Sequence, residues 1–246
     1  MDRSSSPPFC VATVLAAGIL TATAACSGGS PSGSATKSAS PPAKLTGSQA
    51  EAALISPSAL GAQWNPASGG GTGRQDTLLR GKANKANCQT FLDRLRSGNL
   101  MGATPTAKAT EAFTEPSKSA RMTYQVASYA QADADKGMAW LKTLPNVCDG
   151  FTTADPSRNK AVAQVAQLSL PKAGDDRFGV RMTMVTTVQG LKTALTVDAA
   201  AARIGPNVLS VTNGGLAGAG DADTQQAVES GAQRLQKVLA GQTPPG

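Results

Sequence analysis

Apolar residues recur along this chain in two rhythms, and each rhythm predicts a different element. A period of two runs through residues 119–130, where Met122, Tyr124 and Val126 alternate with Arg121, Thr123 and Gln125. It is clearest in 177–188, where Phe178, Val180, Met182, Met184 and Val188 share one face against Arg181 and Thr183. Residues 106–114, 161–170, 191–203 and 207–213 carry the same strand signature. Because the links at Lys172 to Asp176, Gln189-Gly190 and Gly205-Pro206 are short, these strands are expected to be antiparallel neighbours.

The helical rhythm appears four times. Ser48 followed by Glu51 reads as a capping box opening a short helix that ends near Ser56-Pro57. Asn87 is placed to cap a helix in which Cys88, Phe91, Leu92 and Leu95 share one face. Asp133 and Asp135 open a third containing Met138, Trp140, Leu141 and Leu144, closed by Pro145. The last starts at a cap on Asp221 or Asp223 and carries the stripe Val228, Ala232, Leu235 and Leu239, with Gly241 and Pro244 ending it. The predicted class is α+β: an antiparallel meander sheet with helices packed on one face, spanning residues 46–241 and followed by a disordered tail at 242–246.

The first 45 residues follow neither rhythm. Residues 1–25 form an export signal, with Arg3 in a polar start, an apolar stretch from Phe9 to about Ala22, and small residues before Cys26. Thr23-Ala24-Ala25-Cys26 resembles the lipobox of bacterial lipoproteins, which predicts lipidation of Cys26 and retention on the outer face of the cytoplasmic membrane. Ala22-Thr23-Ala24 also suits an ordinary signal peptidase, which would release a secreted protein. From Cys26 to residue 45 the chain is a Ser/Gly/Pro tether, with a coil reach of roughly 20–25 Å.

Cysteine arithmetic joins the two parts. Of the four cysteines, Cys10 leaves with the signal; if Cys26 takes the lipid, as the lipobox resemblance implies, Cys88 and Cys148 remain to form one disulfide in an oxidising compartment, whereas cleavage after Ala24 would leave Cys26 as an odd exposed thiol.

Composition then removes much of the enzyme repertoire. The 246 residues include no histidine, which excludes histidine triads, cysteine–histidine pairs and the usual zinc hydrolase sites. Ser-x-x-Lys occurs at Ser34/Lys37, Ser157/Lys160 and Ser169/Lys172, without the Ser-Asp-Asn or Lys-Thr-Gly that penicillin-recognising enzymes add. The glycines at 69–73 and 214–220 lack the Gly-Lys-Ser/Thr of a phosphate loop. Asp175-Asp176 lacks the spaced oxygen ligands of a calcium loop. No metal, no cofactor and no enzymatic activity are therefore expected.

Charge leaves one more lead. The net charge is +7, and Arg74, Arg80, Lys82, Lys85, Arg94 and Arg96 stand against Asp76 and Asp93. A basic surface there would be drawn to anionic membrane or wall polymers. Nucleic acid is not an expected partner, since no aromatic residues are interleaved with the cations.

Read in order, the lipobox, the tether, Leu45-Thr46-Gly47-Ser48-Gln49-Ala50-Glu51-Ala52-Ala53-Leu54-Ile55-Ser56, the cysteine helix, Trp140 with Cys148, and Arg203-Ile204-Gly205 before Val208-Leu209-Ser210-Val211 resemble actinobacterial lipoproteins with a PknH-type extracellular sensor domain. The resemblance covers about residues 45–240. It implies an α+β domain with a cleft over an antiparallel sheet that binds ligands without catalysis, commonly with two disulfides where this chain has cysteines for one.

The expected function is a lipid-anchored, extracytoplasmic ligand-binding or sensor-like domain. Arg121, Tyr129, Arg181 and Arg203, with Trp64 or Trp140 nearby, are the candidate ligand-binding residues. Its partners would be the membrane through the anchor, a small-molecule or cell-wall ligand, and an envelope protein. The alternative is a cell-envelope interaction protein that uses its basic surface on anionic polymers.

Overall fold

A computed structural model describes residues 43–67, 74–155, 160–188, 190–242 and 244. The signal segment, Cys26, the tether to residue 42, the glycines at 69–73, and Ser34, Lys37 and Ser157 of the Ser-x-x-Lys matches lie outside them.

Helices α1 (Gly47–Ala52), α2 (Arg74–Leu79), α3 (Ala86–Ser97), α4 (Gln131–Val147) and α5 (Asp221–Leu239) accompany nine strands. These are β1 (Asn65–Pro66), β2 (Lys82–Ala83), β3 (Ala107–Glu115), β4 (Ala120–Ser128), β5 (Phe151–Ala154), β6 (Lys160–Leu168), β7 (Asp176–Val188), β8 (Leu191–Ile204) and β9 (Asn207–Gly215). They form one antiparallel sheet in the order β1-β3-β4-β9-β8-β7-β6-β5-β2. The expected meander holds from β5 to β9, and the β3–β4 hairpin joins it through β4 against β9. Crossing from β4 to β5, at the far side of the sheet, takes the α4 connection.

The helices do not gather on one face as the alternating strands suggested. Helices α3 and α4 cover one side, where Phe91, Leu92, Met138, Leu141 and Leu144 meet Val165, Val180, Met182, Met184, Val197 and Ala199. Helices α1 and α5 cover the other, where Ala50, Val228 and Leu235 meet Phe113, Met122, Tyr124, Ala200, Leu209 and Val211. The physical reason lies in β8. Its run Ala199–Ala202 is buried at both parities, and a continuous apolar run means a strand covered on both faces.

Local chemistry differs from expectation at three helix starts. Helix α3 is capped at Lys85 with Asn87 inside the helix, and α5 at Gly220 with Asp221 and Asp223 in its first turn, where their negative charge suits the helix N-terminus. The capping box of α1 is formed by Thr46 and Gln49, not Ser48 and Glu51: the Gln49 N–H donates to Thr46 Oγ1 at 3.3 Å and the Thr46 N–H to Gln49 Oε1 at 2.9 Å. Pro145 lies inside α4, one turn from its end, so the helix closes at Cys148.

Contacts with the domain also begin before residue 46. The Leu45 N–H donates to Ser128 Oγ (2.8 Å) and Asn207 Oδ1 (3.1 Å), while Asn207 Nδ2 donates to Ala43 O (2.9 Å). At the other end, the Gln242 N–H returns to Lys237 O and Pro244 is buried, so part of the 242–246 segment belongs to the fold.

The Cys88–Cys148 disulfide is present, with Cα atoms 5.7 Å apart. It ties α3 to the end of α4 across a separation of 60 residues, for which the loop-entropy account gives about 4 kcal/mol.

Candidate functional site

Helices α1 and α5 cover only β3, β4, β9 and part of β8. Beyond them no helix among the described residues lies on the same face of the sheet. Thr152 and Ala154 on β5, Lys160, Val162, Gln164 and Ala166 on β6, and Val185 and Thr187 on β7 are exposed. Lys192 and Ala194 on β8 are exposed as well, and Thr183 and Thr196 are half-buried. Register aligns them into cross-strand rows: Thr152, Val162, Val185 and Ala194 in one, and Gln164, Thr183 and Thr196 in the next. Val162 is 64% exposed. The floor is hydroxyl, amide and methyl, with lysines at one end.

A third row shows how the covered part passes into the open part. Phe113, Met122, Asn213, Asp198, Arg181 and Ala166 stand opposite one another in turn across six strands. The first two are core under α1 and α5, and the last is in water. Between them sits a charged border. Arg181 donates from Nε to Asp198 Oδ1 at 2.7 Å and from Nη2 to Oδ2 at 2.9 Å, a two-pronged geometry. Nη2 also reaches the Ala219 carbonyl at 2.9 Å, and Nη1 pairs with Asp221 at the start of α5.

Asp198 is wholly buried and takes a third bond from Thr224 Oγ1 at 2.7 Å. Asn213 Nδ2 donates to Thr224 Oγ1 at 3.2 Å. Burial pushes the Asp198 carboxyl above its ordinary value, against the bonds from Arg181 and Thr224 that hold it down. The hydrogen bond with Asp198 raises Arg181 in turn. This cluster clamps the first turn of α5 to the sheet and sets where the cover stops.

The other expected ligand-binding residues go elsewhere. Arg203 points to the α4 side: Nη1 donates to Gly205 O at 3.0 Å, and the side chain pairs with Asp135 (3.4 Å) and Asp175 (3.8 Å). Tyr129 is also on that side, buried, with no hydrogen-bond partner for its phenol and its pKa pushed up to about 12 by burial. Arg121 stands on β4 at the parity of Ala127, whose side chain belongs to the α3–α4 core. Trp140 is half-buried under Arg94, whose guanidinium lies 3.7 Å from the ring centroid. Trp64 is buried beneath the α1 and α5 cover. The six residues are thus divided between two faces, and of them only Arg181 borders the open one.

The basic stretch is partly spoken for. Lys85 pairs with Asp149 at 3.2 Å, Arg96 with Asp93, and Arg94 stacks on Trp140. Asp175 and Asp176 are structural: the first accepts from the Gly205 N–H at 2.7 Å, the second from Lys142 at 2.7 Å.

Sequence reasoning missed Asp198, Asn213 and Thr224. A signal for the first two existed in the turns. A hairpin centred between residues 189 and 190 sets 181 opposite 198, and one centred between 205 and 206 sets 198 opposite 213. Thr224 had no such signal, because the lie of α5 across the row is a tertiary matter.

No family model and no curated protein matches the chain. The fold is similar to that of the extracellular domain of PknH from Mycobacterium tuberculosis, seen in a crystal structure, with a TM-score of 0.51 and 17% sequence identity over 80% of this chain and 98% of that one. The class of protein this defines is an α+β domain built on one antiparallel sheet with a disulfide-tied helical layer. At that identity the likeness is one of fold.

Proposed function

We propose that the protein is a lipid-anchored, extracytoplasmic, non-catalytic binding or sensor-like domain whose ligand lies on the open face of β5 to β8. The observation that carries this reading is the open face itself: among the described residues, four adjacent strands without a covering helix, beside a rigid charged border formed by Arg181 and Asp198. The likeness to a kinase extracellular domain supports the outside location, as do the lipobox resemblance and the buried disulfide.

The chemistry of the face selects the ligand class. Four strands span about 15–20 Å, which is too broad and flat to enclose a small molecule. Hydroxyls and an amide both donate and accept hydrogen bonds, and the rows within the rim hold no charge. An extended uncharged glycan of the envelope fits that surface, with Gln164, Thr183 and Thr196 as its hydrogen-bonding residues and Val162 and Val185 as its apolar contacts.

Co-sedimentation of the full chain with insoluble wall glycan at about 0.15 M salt tests the reading, since surface electrostatics are largely screened there. Retention that is lost in Gln164→Arg is the expected result. Equal retention of that variant and wild type would overturn it. The second reading, adhesion to anionic polymers through the 74–96 stretch, rests on exposed Arg80 and Lys82 and predicts release as salt rises.

A further inference from the structure

Between the flank of α5 and the loop that joins β6 to β7 lies a pocket of about 230 Å³. Glu229, Ala232, Gln233 and Gln236 line it from the helix, and Lys172, Ala173 and Gly174 line it from the loop. The helix residues are spaced i, i+3, i+4 and i+7, so they form one stripe. Ala173 and Ala232 are buried and, with Gly174, give the pocket a small, smooth base.

The loop holds its shape without a ligand. Gly174 takes a left-handed φ of 63°, and a Cβ there would run into the Arg203 carbonyl. The Asp175 N–H donates to Arg203 O at 2.7 Å, Asp175 Oδ2 accepts from the Gly205 N–H at 2.7 Å, and Gln225 Nε2 on α5 donates to Ser169 O at 3.1 Å. Both walls are thus pinned.

The polar groups on those walls are not paired. Lys172 and Glu229 bring opposite charges to one pocket, yet neither forms an ion pair with the other or with any other described residue. The carboxylates nearest Lys172 in the chain are taken, Asp175 by Arg203 and Asp176 by Lys142. The Gln233 and Gln236 amides also have no hydrogen-bond partner among the described residues.

We propose that this pocket binds a dipeptide with free termini and small side chains. Opposite charges held apart across a cavity are the complement of a zwitterion: the ligand's ammonium would meet Glu229 and its carboxylate Lys172, each through a charge-assisted hydrogen bond. The glutamine amides donate and accept, as a peptide bond does. The stripe from Glu229 to Gln236 rises about 10 Å, which two extended residues nearly match at about 7 Å. A free amino acid is shorter and has no peptide bond to offer. The volume is below the roughly 300–1,000 Å³ of a pocket for a drug-sized ligand, so a longer peptide would not fit inside. The proposal does not depend on the glycan reading, which concerns the open strands.

Thermal unfolding of the full chain in detergent with L-alanyl-L-alanine at about 10 mM tests it, since a ligand of millimolar Kd is then mostly bound and raises Tm. The control probe is the same dipeptide acetylated at its amine and amidated at its carboxyl. A rise in Tm with the free dipeptide and none with the capped one is the expected result. Titration should show binding weakened about tenfold or more in Lys172→Glu and in Glu229→Lys, because each replaces a charge-assisted partner by a repelling charge. Both positions are exposed, so the fold should tolerate the changes, and the unliganded Tm checks this. Lys136→Glu, an exposed position on α4 with the same change of net charge as Lys172→Glu, should leave binding unaltered. No rise with the free dipeptide, or an equal rise with the capped one, overturns the proposal. Equal losses in Lys172→Glu and Lys136→Glu would overturn it too, since no local contact would then be at work.

Discussion

Arg181→Gln is the most informative perturbation of this fold, because it removes one half of a buried ion pair and leaves the other half in place. Asp198 is fully buried, while the Arg181 side chain keeps 26% of its surface in water. Stranding a buried partner costs about 3–5 kcal/mol, and the partial exposure of Arg181 argues for the lower end, about 3 kcal/mol. For a domain of this size that lowers Tm by about 6–12 °C at neutral pH.

The sign with pH follows from the carboxyl. Burial raises Asp198 above its unfolded value, so the folded chain keeps that proton to higher pH than the unfolded chain does. The stability gained is present below the ordinary carboxylate range and is lost as pH rises through the raised value. Arg181 opposes that loss, so without it the carboxyl rises further and the penalty grows toward neutral pH. At about pH 4 the variant should lie within about 1 kcal/mol of wild type, since the carboxyl can then take a proton. Urea unfolding followed by near-ultraviolet circular dichroism at pH 4 and pH 7 measures the difference. Adding Asp198→Asn to Arg181→Gln should recover most of the loss at pH 7. The same destabilisation at both pH values, with no recovery in the double variant, would refute the argument.

Four further outcomes follow from packing, hydrogen bonding and covalent structure. In Gly231→Ala the new Cβ would come within 2.5 Å of the Tyr124 Oη and 2.7 Å of its Cε2, in a ring with no room to move, so chemical denaturation should show a loss of about 1–2 kcal/mol, net of the gain in helix propensity. Gly150→Ala, where nothing lies within 4 Å, should be near neutral in the same assay. Reduction of Cys88–Cys148 should lower stability by about 4 kcal/mol, read as a shift in the urea midpoint with and without reductant. Asn207→Ala removes the side chain that holds Ala43 and Leu45, so hydrogen exchange should show lost protection at Leu45 and Thr46, with a global loss of about 1–3 kcal/mol.

How far the chain could be read before its structure depended on the length of each element. The six long strands and the buried faces of α3, α4 and α5 were legible because seven or more residues of alternation or helical stripe leave little room for another reading. β5, with four residues, and β1 and β2, with two each, carry too little pattern to stand out from loop. The α1 cap was misread by two residues because Thr46 and Ser48 are both good caps, and only Gln49 folding back on Thr46 decides between them. For the site, Arg181 was read as a candidate ligand-binding residue on the polar face of its strand, and in the structure its two-pronged bond with Asp198 makes it a clamp for α5.

Sequence by itself determined the six long strands, the stripes of α3, α4 and α5, the α+β class and the pairing of Cys88 with Cys148. These follow from side-chain period, turn chemistry and residue count, which act over short stretches or by elimination. Tertiary structure alone decided that helices lie on both faces, that α5 starts at the Arg181–Asp198 border, and that no helix among the described residues covers one side of β5 to β8. A strand's pattern says that a face is apolar or polar. Which helix lies on it, and where that helix ends, depends on contacts between residues far apart in the chain.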